Sequence, residues 1–176
     1  MENQKYSLFM RALHWIMAFI ILSLIGLGWY MEGLEDTVSF RGDLYNLHKS
    51  FGVLVLLLLV VRFVVRQFSH IPALPEGIPA PVRKLARGAH YLLYLLIFAV
   101  PLVGYVMSNS YGYGVKLFGV PMPMLFPENK EIAALANEWH AILAYTLLAI
   151  VTLHIVGALK HRFFDKKEND VLHKML

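Results

Sequence analysis

Four stretches of the chain are nearly free of charged side chains, and polar segments separate them. Ala12–Tyr30, Ala89–Met107 and His140–Leu159 contain no charged residue, and Leu44–Val65 contains the unbroken apolar run Phe51–Val61. Arg62 and Arg66 lie at the far end of that stretch, where long side chains reach the interface. Each stretch approaches the roughly 20 residues that a helix needs to cross about 30 Å of hydrocarbon. The pattern predicts an all-α membrane protein: one domain over residues 1–176, folded as a four-transmembrane-helix bundle. The spans are expected at about 7–31, 44–66, 82–108 and 136–164. The first is too long for a signal-peptide core and no small-x-small cleavage pattern follows it, so it is expected to be retained.

The connectors are short. Ile71–Pro81 holds Pro72, Pro75, Pro79 and Pro81, which predicts a stiff extended link with Pro81 in the first turn of span three. Asn109–Lys130 mixes Gly and Pro with Tyr111, Tyr113, Phe118 and Phe126. That segment is too apolar for a free linker and is expected to lie over its end of the bundle. Pro101 is expected to kink span three.

Charge adds a direction. Four spans place both termini on one side, together with the loop between spans two and three. That side carries 12 of the 16 Lys and Arg residues; Arg41, Lys49, Lys116 and Lys130 lie on the other. The positive-inside rule makes the termini cytoplasmic. The net charge of +4 is explained by this topology and forms no basic stripe, so no nucleic-acid partner is expected. A hydrophobic fraction of 58% excludes an ordinary soluble domain. The absence of cysteine excludes disulfides, thiolate iron–sulfur ligation and covalent c-type haem.

The histidines carry the chemistry. An ionisable residue inside a span is costly and marks function by default. His140 and His154 are fourteen residues apart, close to four helical turns, so both rings leave one face roughly 21 Å apart along the axis. One metal ion cannot use both; two cofactors, one near each membrane surface, can. Span one brings His14 to the depth of His154, and span two brings His48 to the depth of His140. The inner pair is then His14 with His154, and the outer pair His48 with His140. Two imidazoles facing each other across an apolar bundle are the axial set of a b-type haem, held without covalent attachment.

Small residues recur beside these ligands: Gly52 at His48+4, Ala144 at His140+4 and Gly157 at His154+3. Gly28 and Gly104 carry spans one and three past the outer pair. They leave room either for a macrocycle or for close helix packing. Arg11, Arg62 and Arg87 are candidate partners for the inner haem carboxylates, or they simply mark helix ends. His90 lies at the inner depth and is a candidate for a carboxylate, a quinone or the iron itself, or else a helix-packing histidine bonded to a neighbouring backbone carbonyl. His70 and His173 fall in polar connectors and read as surface residues, and His161 lies near the inner exit of span four.

The constellation resembles the bacterial di-haem cytochrome b561 family and the related cytochrome b subunits of nickel hydrogenases and formate dehydrogenases. The resembling residues are His14-Trp15, His48, Trp139-His140 and His154, which together cover all four spans. The resemblance implies two haem b groups and a place in the bacterial inner membrane. It also implies electron exchange with ubiquinone or menaquinone, and in free-standing members superoxide oxidation at the outer face. Lys49, beside His48, is then the candidate steering charge for superoxide, on a face whose formal balance is −3. Two other readings stand beside this one: a haem-bearing anchor whose donor is a partner subunit of a larger dehydrogenase, and a histidine pathway for protons or metal in a transporter.

Overall fold

The computed structural model describes residues 5–75 and 77–176. Four long helices dominate it: α1 (Leu8–Glu32), α2 (Arg41–Phe68), α3 (Ala80–Ser110) and α4 (Lys130–Phe163). All four are long and apolar enough to cross a membrane. A two-residue hairpin, β1 (Lys116–Leu117) with β2 (Val120–Pro121), interrupts the α3–α4 connection, and two short 3₁₀ turns follow α4.

The helices extend beyond the apolar stretches, and side-chain caps mark the starts of α1 and α4. Ser7 Oγ accepts the Met10 N–H at 3.3 Å and starts α1. Asn129 Oδ1 accepts the N–H groups of Glu131 and Ile132 at 3.0 and 3.1 Å, so α4 begins well before its apolar segment. Pro81 lies in the first turn of α3, as its fixed φ favours. The α3 helix runs on through Pro101 to Ser110.

Buried Met17, Ile21, Val55, Leu59, Leu96 and Leu147 form the core, halfway along the bundle. Phe19, Leu57, Leu95 and Leu153 point outward and are at least half exposed, the surface expected of a chain solvated by lipid. Helix α1 packs on α2, α2 on α3, and α3 most extensively on α4. Helix α4 stands further from α1 and from α2.

Both ends of the bundle are closed by chain. At the end that carries the termini, the segment after α4 folds back as a strap. Trp15 Nε1 donates to the Met175 carbonyl at 2.8 Å and the Tyr6 N–H to that of Lys174 at 3.1 Å. Arg162 pairs with Asp170, and Lys174 Nζ reaches the Ala73 carbonyl in the α2–α3 connector. A side-chain carbon at Gly77 would meet Asn169 Oδ1 at 2.5 Å, so a larger residue there would require the Asn169 side chain to move. At the opposite end, the α3–α4 connection lies against the first turns of α2, as its apolar content leads one to expect. Ser50 Oγ donates to the Lys116 carbonyl at 2.7 Å and accepts the Phe118 N–H at 3.2 Å. Phe118 and Gly119 both have positive φ (48° and 94°), which a tight hairpin turn demands, and the Phe118 ring packs edge-on against Phe51 at 5.3 Å.

Candidate functional site: two histidine pairs

The fold brings the four histidines together as two pairs. His14 and His154 have ring centroids 6.3 Å apart near the termini end, and His48 and His140 are 6.3 Å apart near the hairpin end. Each pair reaches from α4 across one of its wider separations, to α1 in one case and to α2 in the other.

The equal separation has a simple chemical reading. An imidazole nitrogen bonds a first-row metal at about 2 Å, which places the ring centroid about 3 Å from the ion. Two rings on opposite sides of one ion therefore stand about 6 Å apart. Both pairs match this spacing. His90 does not: its ring lies 5.2 Å from that of His154, too close for an ion between them. His90 Nδ1 instead donates to the Ala86 carbonyl one turn back, at 2.7 Å.

The surroundings of the His48–His140 pair also fit a flat macrocycle. A cavity of about 450 Å³ opens beside both rings, walled by Ile25, Gly28, Gly52, Val55, Gly104 and Ala144 among others. His140 Nδ1 donates to the Val100 carbonyl at 3.0 Å, which fixes the tautomer and leaves Nε2 with its lone pair. His48 Nδ1 is buried with no partner. A side-chain carbon at Gly104 would come within 3.0 Å of the His140 ring, and one at Gly28 within 3.7 Å of His48. Gly52 lines the same cavity. Gly157 faces space free of protein atoms, but so do Gly26 and Gly88, so its openness does not single it out.

The basic candidates separate. Arg62 is buried and its Nη1 donates to the Met10 carbonyl at 2.9 Å, within electrostatic reach of His14, His90 and His154. Arg11 Nε is buried without a partner. Arg87 is exposed and forms no hydrogen bond or ion pair among the described residues; the structure does not bring it to the pair. Lys49 lines the cavity beside His48 and His140, with Nζ 5.4 Å from the centre of the Tyr113 ring. Sequence reasoning missed Tyr45, Asn137 and Tyr145 in the cavity wall, because nothing in their spacing marks them. Among the described residues no three His or acidic side chains cluster as a metal site.

A membrane four-helix bundle with paired imidazoles near each end defines a class, the membrane cytochromes b. Comparison with known proteins places the chain within that class: it belongs to the prokaryotic cytochrome b561 family, whose model matches residues 5–176. It is 34% identical to cytochrome b561 homolog 2 of Escherichia coli (strain K12), over 98% of this chain and 92% of that protein. A probable superoxide oxidase CybB of Yersinia pestis is 27% identical, over 98% and 97% of the two chains. Cytochrome b561 homolog 1 of the same E. coli strain is 26% identical, over 93% and 92%.

Proposed function

We propose that the protein is a di-haem cytochrome b that passes electrons between a donor at the hairpin end and the quinone pool, with superoxide as the donor and ubiquinone as the acceptor. The observation that carries the reading is the pair of 6.3 Å ring separations near opposite ends of one bundle. His14 with His154, and His48 with His140, each hold one haem b, which supplies reversible one-electron chemistry when bound. Two superoxide anions give up one electron each and leave as dioxygen; one quinone takes up two electrons and two protons. The Lys and Arg distribution supports termini in the cytoplasm, so that the hairpin end faces outward. The donor and acceptor are drawn from the likeness to the Yersinia protein and from the family.

The chain's own residues bind and insulate. The two imidazoles of each pair would hold the iron of one haem, which would supply outer-sphere electron transfer and not bind a substrate. His140 is held in one tautomer by Val100, and Arg62 supplies fixed positive charge at the inner pair, which favours an added electron there. The test is a superoxide pulse followed by stopped-flow absorbance. Both haems should be reduced faster than in protein lacking the outer one, and added ubiquinone should reoxidise them. If superoxide leaves the haems oxidised while a partner dehydrogenase reduces them, the protein is an anchor subunit instead.

A further inference from the structure

The outer cavity is lined by two cations, and only one of them has an anionic partner. Arg41 pairs with Asp36, lies over the Tyr45 ring and reaches its hydroxyl at 3.4 Å. Lys49 forms no ion pair among the described residues, although it is half-buried and lines the same cavity as His48 and His140. Its ammonium lies against the Tyr113 ring. Glu32 is the only carboxylate in the cavity wall and pairs with neither cation. A desolvated ammonium without a counter-charge is unfavourable, and a ring face compensates only part of that cost. The wall around it is otherwise largely apolar.

We infer that Lys49 is the seat for a carboxylate side chain of the cofactor held by His48 and His140. The position is dictated by the helix. Lys49 follows His48 directly, so a group bound to the histidine cannot sit far from the lysine stem, and the flexible stem lets the ammonium follow a carboxylate at the cavity mouth. A partly buried pair against a weakly polar wall is screened by salt less than an exposed one. Lys49 thus acts first on the cofactor rather than on an incoming anion. The inference rests on the reading of two haem sites.

The test uses purified holoprotein and two readouts of the outer haem: its midpoint potential and the carboxylate bands of its redox-difference infrared spectrum. In Lys49→Met the carboxylate bands should shift. The affinity for the electron should fall about tenfold, which is about 59 mV for one electron, because a nearby cation favours the reduced state. Lys49→Arg should restore both, and Lys130→Met, at an exposed outer position, should change neither. Loss of the outer haem alone in Lys49→Met, recovered in Lys49→Arg, supports the assignment equally. If Lys49→Met does not accumulate, Lys49→Gln removes the charge and is read the same way. Unchanged bands and potential overturn the inference, and slower reduction by superoxide on that background would make Lys49 a steering charge. A wild-type protein with no outer haem overturns the two-haem reading itself, and this inference with it.

Discussion

A side-chain carbon at Gly104 of α3 would stand 3.0 Å from Cε1 of His140 on α4. The α3–α4 seam is the most extensive helix contact in the bundle, so a shift of either backbone would disturb many neighbours. The ring itself must give way. Gly104→Ala should keep both haems but alter the low-spin electron paramagnetic resonance signal of the outer one. Gly104→Val should lose the outer haem and drop the haem-to-protein ratio from about two to about one. A ratio that stays at two in the valine variant would show that His140 is not held where α3 passes it.

The pairs should also fail separately. His48→Ala or His140→Ala should remove the outer haem and spare the inner, and His14→Ala or His154→Ala should do the reverse. His90→Ala should leave both low-spin spectra in place, since its ring lies 5.2 Å from His154 and bonds Ala86. Pyridine haemochrome and reduced-minus-oxidised spectra decide each case. Loss of the inner haem in His90→Ala with retention in His14→Ala would reassign the ligand.

Arg62 joins α2 to the first turn of α1 through the Met10 carbonyl. Arg62→Met keeps most of the stem but removes the charged hydrogen bond, and should cost about 1.5–3 kcal/mol of stability in detergent. It should also lower the inner haem potential while the outer one stays put. Thermal melts and a redox titration measure the two effects independently.

Acid should loosen the strap. Burial alone would raise the Asp170 carboxyl, but the His173 N–H and the Arg162 guanidinium overcome it and hold the group below its ordinary 3.8. A depressed carboxylate stabilises the folded form fully above that ordinary value, and the contribution is lost as pH falls through the lower folded one. With Trp29 and Trp139 replaced by Phe, fluorescence of Trp15 should report release of its bond to Met175 only at pH below about 3.8. In Asp170→Asn this acid-dependent step should vanish.

The spans and the histidine pairs were legible because both rest on periodicity: about 20 apolar residues for a crossing, and fourteen residues for two rings on one face. Gly28 and Gly104 were legible for the same reason, since depth can be counted along a helix. The strap was not. It is tied largely through the backbone carbonyls of Met175, Lys174 and Ala73, and every sequence offers carbonyls. The hairpin was hidden by its turn, which puts Phe118 at a positive φ where Asn or Gly is the usual signal. Arg62 and Arg87 look alike in sequence, both being basic residues near helix ends. Only packing shows that one is buried against α1 and the other exposed.

The apolar core between the two pairs has an electrical consequence. Leu147 lies seven residues from His140 and seven from His154, and around it stand Met17, Ile21, Val55, Leu59 and Leu96. Among the partly buried apolar and aromatic side chains packed on this layer, Tyr94 carries a polar atom, and its hydroxyl is buried without a partner. The side chains of this core cluster give a proton neither donors nor acceptors. On the proposed function, an electron that passes across this layer from an outer haem to an inner one would move without a compensating ion, and turnover would be electrogenic. Against an inside-negative potential each electron does work of about 2.3 kcal/mol per 100 mV when it crosses the full membrane. The donor must supply that work, so the voltage across the membrane acts as a brake on the reaction.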